Sequence, residues 1–388
     1  MKVSTDYVRK YGKTSYEDLP FRTADTFVLC NAIYAPIEKV VPAEFEPEEE
    51  TKALGQAIED FYDYYDRKVI SCGLILTENP FLNLLELREY PRFADLRVTG
   101  CRFVLNKEDT SFMGISFLLG DDALLVFFRG TDDTVVGWLE DVDIFAKPSI
   151  PSHKLCIDYL NEAAAAYPDR KIVVAGHSKG GYLALYAALF CKDEVRARII
   201  QLYNHDGPGD KNYAWIEKDE FEALAPVYHH YVPGKSMFGM MLCHDDNYRI
   251  VKSNRFFAPF QHDIASWGIV DAEPQEIPEL EFMGKLFNYT FRDFLTSLDP
   301  ERTPKFYEAI HTILFAPQAE TLLSLSSHPV RSVRDIVKAA VGLTKEQKKA
   351  VRSLGAEFVA FAGKAAVRIA KEAGDKSEKL RVMIKKNA

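Results

Sequence analysis

The apolar run KIVVA at residues 171–175 breaks at Gly176-His177-Ser178-Lys179-Gly180 and resumes as YLALYAALF. The first run is short and β-branched, which predicts a buried strand. The second is longer and rich in Leu and Ala, which predicts a helix. A strand that passes into a helix across so few residues must reverse sharply, and glycines remove the Cβ atoms that would obstruct the turn. Ser178 is then held in a strained conformation with its Oγ projecting. The N–H of Lys179 opens the helix, where unpaired donors and the helix dipole favour an oxyanion. In this strand–helix context G-x-S-x-G is the pattern of a serine nucleophile. A tight turn without chemistry is the competing reading.

The segments around it place this element in an α/β fold. Residues 1–95 read as mostly helical, with TADTFVLCNAIYAPIE and TKALGQAIEDFYDYYDRKV at helical spacing and an acidic linker, VPAEFEPEEE, between them. LRVTGCRFVLN, TSFMGISFLLG and DALLVFFRG then read as antiparallel strands. HKLCIDYLNEAAAAYP is helical, and RARIIQLYN, PVYHHYVP and YRIVKS are strands. Strand, helix, strand, helix, strand predicts a mainly parallel sheet with both faces covered by helices. The expected organisation is a helical segment at 1–95, a core at 96–275 and a helical extension with a basic tail at 276–388.

Composition narrows the function classes. The chain has 388 residues, 47% of them hydrophobic, enough for a sizeable core. No run of about 18 apolar residues predicts a membrane span, and Met1–Lys13 lacks the apolar stretch of a secretory signal. Six cysteines stand singly, without C-x-x-C pairs, which points to a reducing, cytoplasmic setting. From Arg331 onward fifteen Lys/Arg face six Asp/Glu, a balance of +9 that leaves −18 for residues 1–330. An acidic body repels phosphate backbones, which argues against nucleic acid as its partner. In the tail, Val351, Leu354, Phe358 and Phe361 share a helical face, with Lys348, Lys349, Arg352, Lys364 and Arg368 largely off it. Such a helix suits peripheral membrane contact. Docking of its apolar face on the acidic body is the favoured expectation.

A nucleophile needs a second oxyanion donor, a base and an acid. In LLVFFRGTDD an apolar strand ends at Phe128-Arg129-Gly130-Thr131, which would deliver the Thr131 N–H, with its hydroxyl, beside the elbow. VFFRGTDDTVVGWLEDVDIF, followed some thirty residues later by YPDRKIVVAGHSKGGYLALYAALF, resembles the class 3 lipases. With YNHDGPG and QHDIASW it resembles more closely an uncharacterised bacterial lipase-like family of unknown function. The resemblance spans roughly residues 25–270. It implies an α/β-hydrolase fold, with Ser178 as nucleophile and Thr131 and Lys179 as oxyanion donors. Class 3 lipases usually carry an apolar residue where Lys179 stands, so an apolar acyl pocket against that side chain is not predicted.

The α/β-hydrolase order of nucleophile, acid, histidine removes His153 and His177 from the candidates for the base. His205, His229 and His230 lie in predicted strands, while His311 and His328 belong to the helical C-terminal region. His262, in a loop after the last strand of the core, is the expected base. In class 3 lipases the acid precedes a Val-Pro pair, but His230-Tyr231 stand before Val232-Pro233 here. Asp206 in LYNHDGPGD, at the end of the strand after the nucleophile helix, takes its place. Asp245, Asp246 and Asp210 rank behind it, and Asp263 is too close in sequence to His262. PGKSM at 233–237 lacks the first glycine of a phosphate loop, having His229 in its place. CHDDNY at 243–248 groups metal-ligand types, but reads better as a hairpin turn between strands. The expected function is hydrolysis of carboxylic esters, lipid esters among them, through Ser178, His262 and Asp206 without a cofactor or metal. A catalytically weak or inactive hydrolase fold used for binding is the alternative. Acyl transfer or thioester cleavage would use the same residues.

Overall fold

The computed structural model describes residues 3–387 except 73–75, 77–78, 121, 210–217, 243–246, 300, 318 and 322–328, and does not describe the side chains of 296, 329 and 375–387. Eight strands form one sheet whose spatial order follows the chain. They are β1 (Lys52–Ala53), β2 (Arg97–Asn106), β3 (Thr110–Leu119), β4 (Ala123–Phe128), β5 (Lys171–His177), β6 (Ile199–His205), β7 (Tyr228–Pro233) and β8 (Arg249–Val251). Neighbours from β1 to β4 are antiparallel. Those from β4 to β8 are parallel.

A parallel sheet that advances in one direction through right-handed crossovers puts its connecting helices on one face. The helices Pro151–Ala166 and Lys179–Phe190 lie there, packing Tyr159, Leu160, Leu183 and Ala187 on Leu124, Val126, Ile172 and Val174. The alternate residues of the same strands, Leu125, Phe127, Val173 and Ala175, point the other way. That second face would be bare without the N-terminal helices. Thr23–Ala32, Leu54–Tyr64 and Pro80–Leu87 cover it with Phe27, Leu29, Ile58, Phe61 and Phe81. A buried ion pair, Arg92 Nη2 to Asp25 Oδ2 at 2.5 Å, joins the two ends of that layer.

The expected α/β sheet with helices on both faces is present, with two local differences. Lys52 and Ala53, expected within a helix, form edge strand β1 against Val98 and Arg97. Because β7 and β8 run parallel, the chain between them is a crossover and not a hairpin, while Cys243–Asp246 themselves fall outside the described residues. The basic helix Lys345–Asn387 packs along Phe282–Thr296 and Arg302–Phe315, two helices within residues 1–330. Leu354 is fully buried in this seam, and Phe358 sits 5.4 Å from Phe291 and 5.3 Å from Phe294 between ring centroids. Val351 and Phe361 are half-buried. Among the described residues no helix is long and apolar enough to cross a membrane.

Candidate active site

The candidate residues gather at the C-terminal edge of the parallel strands, where open α/β sheets form their sites. Ser178 follows β5 directly, with φ 59° and ψ −130°. This left-handed φ is costly for a residue with a Cβ, and it persists because the surroundings fix both sides of the turn. Ser178 N donates to His205 O at 2.8 Å, and Ser178 O accepts from the amides of Gly181 and Tyr182 at 2.9 and 3.2 Å. The helix start lies hard against the end of β4: a Cβ on Gly180 would sit 2.0 Å from Phe128 O.

The chain leaving β4 runs beside the elbow. A Cβ on Gly130 would fall 2.5 Å from His177 O and 3.1 Å from Ser178 Cβ, so this close approach also requires glycine. Thr131 comes next. Among the described residues neither its backbone N–H nor that of Lys179 has a hydrogen-bond acceptor. Its hydroxyl lies 2.6 and 2.8 Å from the two carboxylate oxygens of Asp141. Burial pushes the Asp141 carboxyl up to about 6, against the pull of Lys179 and the Thr131 hydrogen bond. Asp141 was not among the sequence candidates. Its signal was its position in the helix after the F-R-G-T strand end.

The Lys179 side chain explains how a cation can follow the serine. It turns under the elbow, where Nζ donates to Glu140 Oε2 at 2.9 Å and Ser111 O at 2.8 Å. Glu140 is fully buried and also accepts from the amides of Ser111 and Ser152 at 3.1 and 3.2 Å. Burial opposes the ammonium charge, but Glu140 and Asp141 outweigh it and hold the Lys179 pKa above its ordinary value. The wall beside Ser178 is left mainly apolar, a cavity of ≈160 Å³ lined in part by Trp138, Val142, Phe145, Pro208, Phe238 and Met241.

Asp206 and His262, 56 residues apart, meet: His262 Nδ1 lies 2.6 Å from Asp206 Oδ2. Asp206 ends β6 at φ 52°, with its amide on Tyr231 O at 2.8 Å. Its other oxygen, Oδ1, accepts from the Ser236 hydroxyl and from the Gly239 amide at 3.1 Å. Burial raises the Asp206 carboxyl to about 7, opposed chiefly by the Ser236 hydrogen bond. The same burial pushes His262 down to about 3, so its imidazole is neutral near pH 7. The Phe238 ring lies over it, 4.1 Å between centroids. Ser178 Oγ makes no hydrogen bond among the described residues, His262 included.

Two positioning groups escaped sequence reasoning. His177, set aside as a base, holds the His262 loop: its Nε2 lies 2.7 Å from His262 O and its Nδ1 2.8 Å from Tyr34 Oη. A carbonyl only accepts, so Nε2 carries the hydrogen and Nδ1 accepts from Tyr34. Burial pushes His177 down to about 3, in keeping with that neutral ring. Ser236 belongs to PGKSM, visible only as a failed phosphate loop. Three further histidines bond groups elsewhere. His205 bonds Thr26 at 2.7 Å, His153 bonds Tyr182 at 2.8 Å, and His311 bonds Asp143 at 2.8 Å. Asp263 accepts from the Ala265 amide at 3.1 Å. Asp210, Asp245, Asp246 and His328 lie outside the described residues. Among the described residues no group of three or more His, Cys, Asp or Glu converges as a metal site would.

A family model described as Mbeg1-like matches residues 87–312, more than half of the chain. The chain belongs to the Mbeg1-like family. The matched region of this Mbeg1-like chain starts just before β2 and ends within Arg302–Phe315. It takes in β2–β8, the elbow, Thr131, Asp141, Asp206 and His262, and leaves out the long basic helix. No curated protein and no solved structure matches the chain.

Proposed function

We propose that this Mbeg1-like protein is a serine hydrolase that cleaves carboxylic esters through an acyl-enzyme, the activity its resemblance to class 3 lipases implies. One observation carries the reading. A serine at φ 59° on a strand-to-helix elbow shares a sheet edge with a neutral histidine bonded to a buried carboxylate at 2.6 Å. In the reaction His262 takes the Ser178 proton as Oγ attacks the ester carbonyl, and Asp206 stabilises the resulting imidazolium. The carbonyl oxygen, now an anion, is received by the free amides of Thr131 and Lys179. The imidazolium then protonates the leaving alkoxide. Water, deprotonated by His262, attacks the acyl-enzyme, and collapse of that second intermediate frees Ser178 and the carboxylic acid. The apolar cavity beside Ser178 supports an acyl group as the part held there.

The test is covalent labelling by a fluorophosphonate together with turnover of a short p-nitrophenyl ester. Wild type is expected to label and turn over, and folded Ser178→Ala to do neither. The absent Ser178–His262 hydrogen bond favours the alternative, an inactive hydrolase fold used for binding. Equal, background-level labelling of the two proteins would establish that alternative. The described cysteines Cys30, Cys72, Cys101, Cys156 and Cys191 are free thiols, which supports a reducing compartment as the working place.

A further inference from the structure

The cavity at Ser178 is small, and its wall is held in place. Its ≈160 Å³ is bounded mainly by apolar side chains. Helix Val135–Ala146 supplies Trp138, Val142 and Phe145, and the segments after β6 and β7 supply Pro208, Phe238 and Met241. A cavity of about 150 Å³ accepts a six-carbon guest such as benzene. In proportion, a sixteen-carbon acyl chain would fill about 400 Å³. The cavity therefore matches a short acyl group, unless its wall moves aside.

That wall is fastened along its length. At the start of the helix Val135 N donates to Glu320 O at 2.9 Å, and the Thr134 hydroxyl oxygen accepts from Gly137 N at 3.1 Å. Glu140, fully buried, joins the helix to the elbow through Lys179, to β3 through Ser111 and to helix Pro151–Ala166 through Ser152. Asp141 accepts from the Thr131 hydroxyl, and Asp143 accepts from His311 Nε2 in helix Arg302–Phe315 at 2.8 Å. Moving the helix outward would part Glu140 from Lys179, and separating a buried charged pair is strongly unfavourable. A roomier space lies close by. A cavity of ≈810 Å³ opens on another face of the same helix, beside Asp143, Ala146, Lys147 and His311. Ser178 does not line it, and the fastened helix lines both.

We propose that the substrates of Ser178 are short-chain esters, with an acyl group of about six carbons or fewer, and that helix Val135–Ala146 sets this limit. The limit rests on the hydrolase reading above. Each CH₂ that enters the cavity leaves water and can raise kcat/KM by up to about fourfold. Carbons beyond the cavity gain nothing from it.

The experiment measures kcat/KM of the full-length protein for p-nitrophenyl esters from acetyl to dodecanoyl, each kept below the concentration at which it aggregates. From acetyl to hexanoyl the value should rise by about two- to fourfold per CH₂. Beyond octanoyl it should rise no further. Phe145→Ala removes a six-carbon ring from the wall, so its decanoyl-to-hexanoyl ratio should exceed that of wild type by at least about tenfold. Both esters are read on one protein, so a loss of folded enzyme cancels in the ratio. Val142→Ala should raise the ratio by less, and serves if Phe145→Ala folds poorly. A value that climbs steadily to dodecanoyl would overturn the proposal, as would equal values for acetyl and hexanoyl or unchanged ratios in both variants. Turnover with the wrong profile removes only the limit. Absence of both turnover and fluorophosphonate labelling removes the hydrolase reading, and the limit with it.

Discussion

Replacing Ser236 by alanine removes one hydroxyl from the carboxylate that faces His262. That hydroxyl donates to Asp206 Oδ1, so it stabilises the ionised form, and its loss raises the carboxyl pKa. Hydrogen bonds to charged groups contribute about 1.5–3 kcal/mol, and one pKa unit corresponds to about 1.4 kcal/mol. The full effect would be about one to two units. The Gly239 amide still donates to the same oxygen, which places the expected shift nearer about one unit. In the proposed mechanism the His262–Asp206 pair must have lost its proton for His262 to accept one from Ser178, and this apparent pKa belongs to the pair. Burial raises the Asp206 side of it to about 7. Activity should therefore fall as pH drops through the neutral range, and in Ser236→Ala the fall should begin at higher pH. The assay is the pH profile of kcat/KM for a soluble p-nitrophenyl ester. On the acidic limb the variant should be roughly tenfold slower than wild type, with the two converging in alkali. An unmoved limb would refute the reasoning and point to another group, such as Asp141, pushed up to about 6 and out of contact with Ser236. Equal loss at every pH would mean that Ser236 acts by holding geometry and not through the proton.

Asp206→Asn should lower kcat by about 10³–10⁴-fold while leaving some turnover, because the oxyanion donors remain; rates within a factor of ten of wild type would return the acid to another carboxylate. Lys179→Met leaves Glu140 buried and uncompensated and should cost about 3–5 kcal/mol in urea unfolding; a loss under about 1 kcal/mol would show that the pair contributes little. In Gly180→Ala the new methyl has no room beside Phe128 O, at 2.0 Å, so soluble, labelling-competent protein at wild-type yield would contradict the elbow packing. Leu354→Ala empties the seam of the basic helix and should lower stability by about 2–5 kcal/mol, with an unchanged melting temperature as the contrary result.

The parts of the site that were legible share a cause. The elbow is a local object: a β-branched run, a Gly-His-Ser-Lys-Gly turn and a Leu/Ala-rich run force the reversal whatever surrounds them. Ser178 and the amide of Lys179 could therefore be named from ten residues. Asp206 and His262 were reachable because a parallel strand order puts successive strand ends on one edge, and chain order then ranks the carboxylates and histidines that follow. The partners of these groups were not legible. His177 reaches Tyr34 across 143 residues and His262 O across 85, and Ser236 reaches Asp206 across 30. No periodicity links positions so far apart.

Two directions were decided by packing alone. A lysine after Ser178 carries no instruction about where its four-carbon stem will lie. It is drawn under the elbow because Glu140 and the Ser111 carbonyl are there to meet a charge that burial would otherwise penalise. The basic helix likewise shows an apolar face in its sequence but not the identity of what covers it. Phe291 and Phe294 do, because they lie on the helix that packs beside it. The sequence determined what is local or periodic: strand against helix, the strained turn, and the edge of the sheet where chemistry-bearing residues collect. The tertiary structure decided which distant groups share a proton, a carbonyl or a seam. Those contacts depend on distances of a few ångströms, which only the folded chain sets.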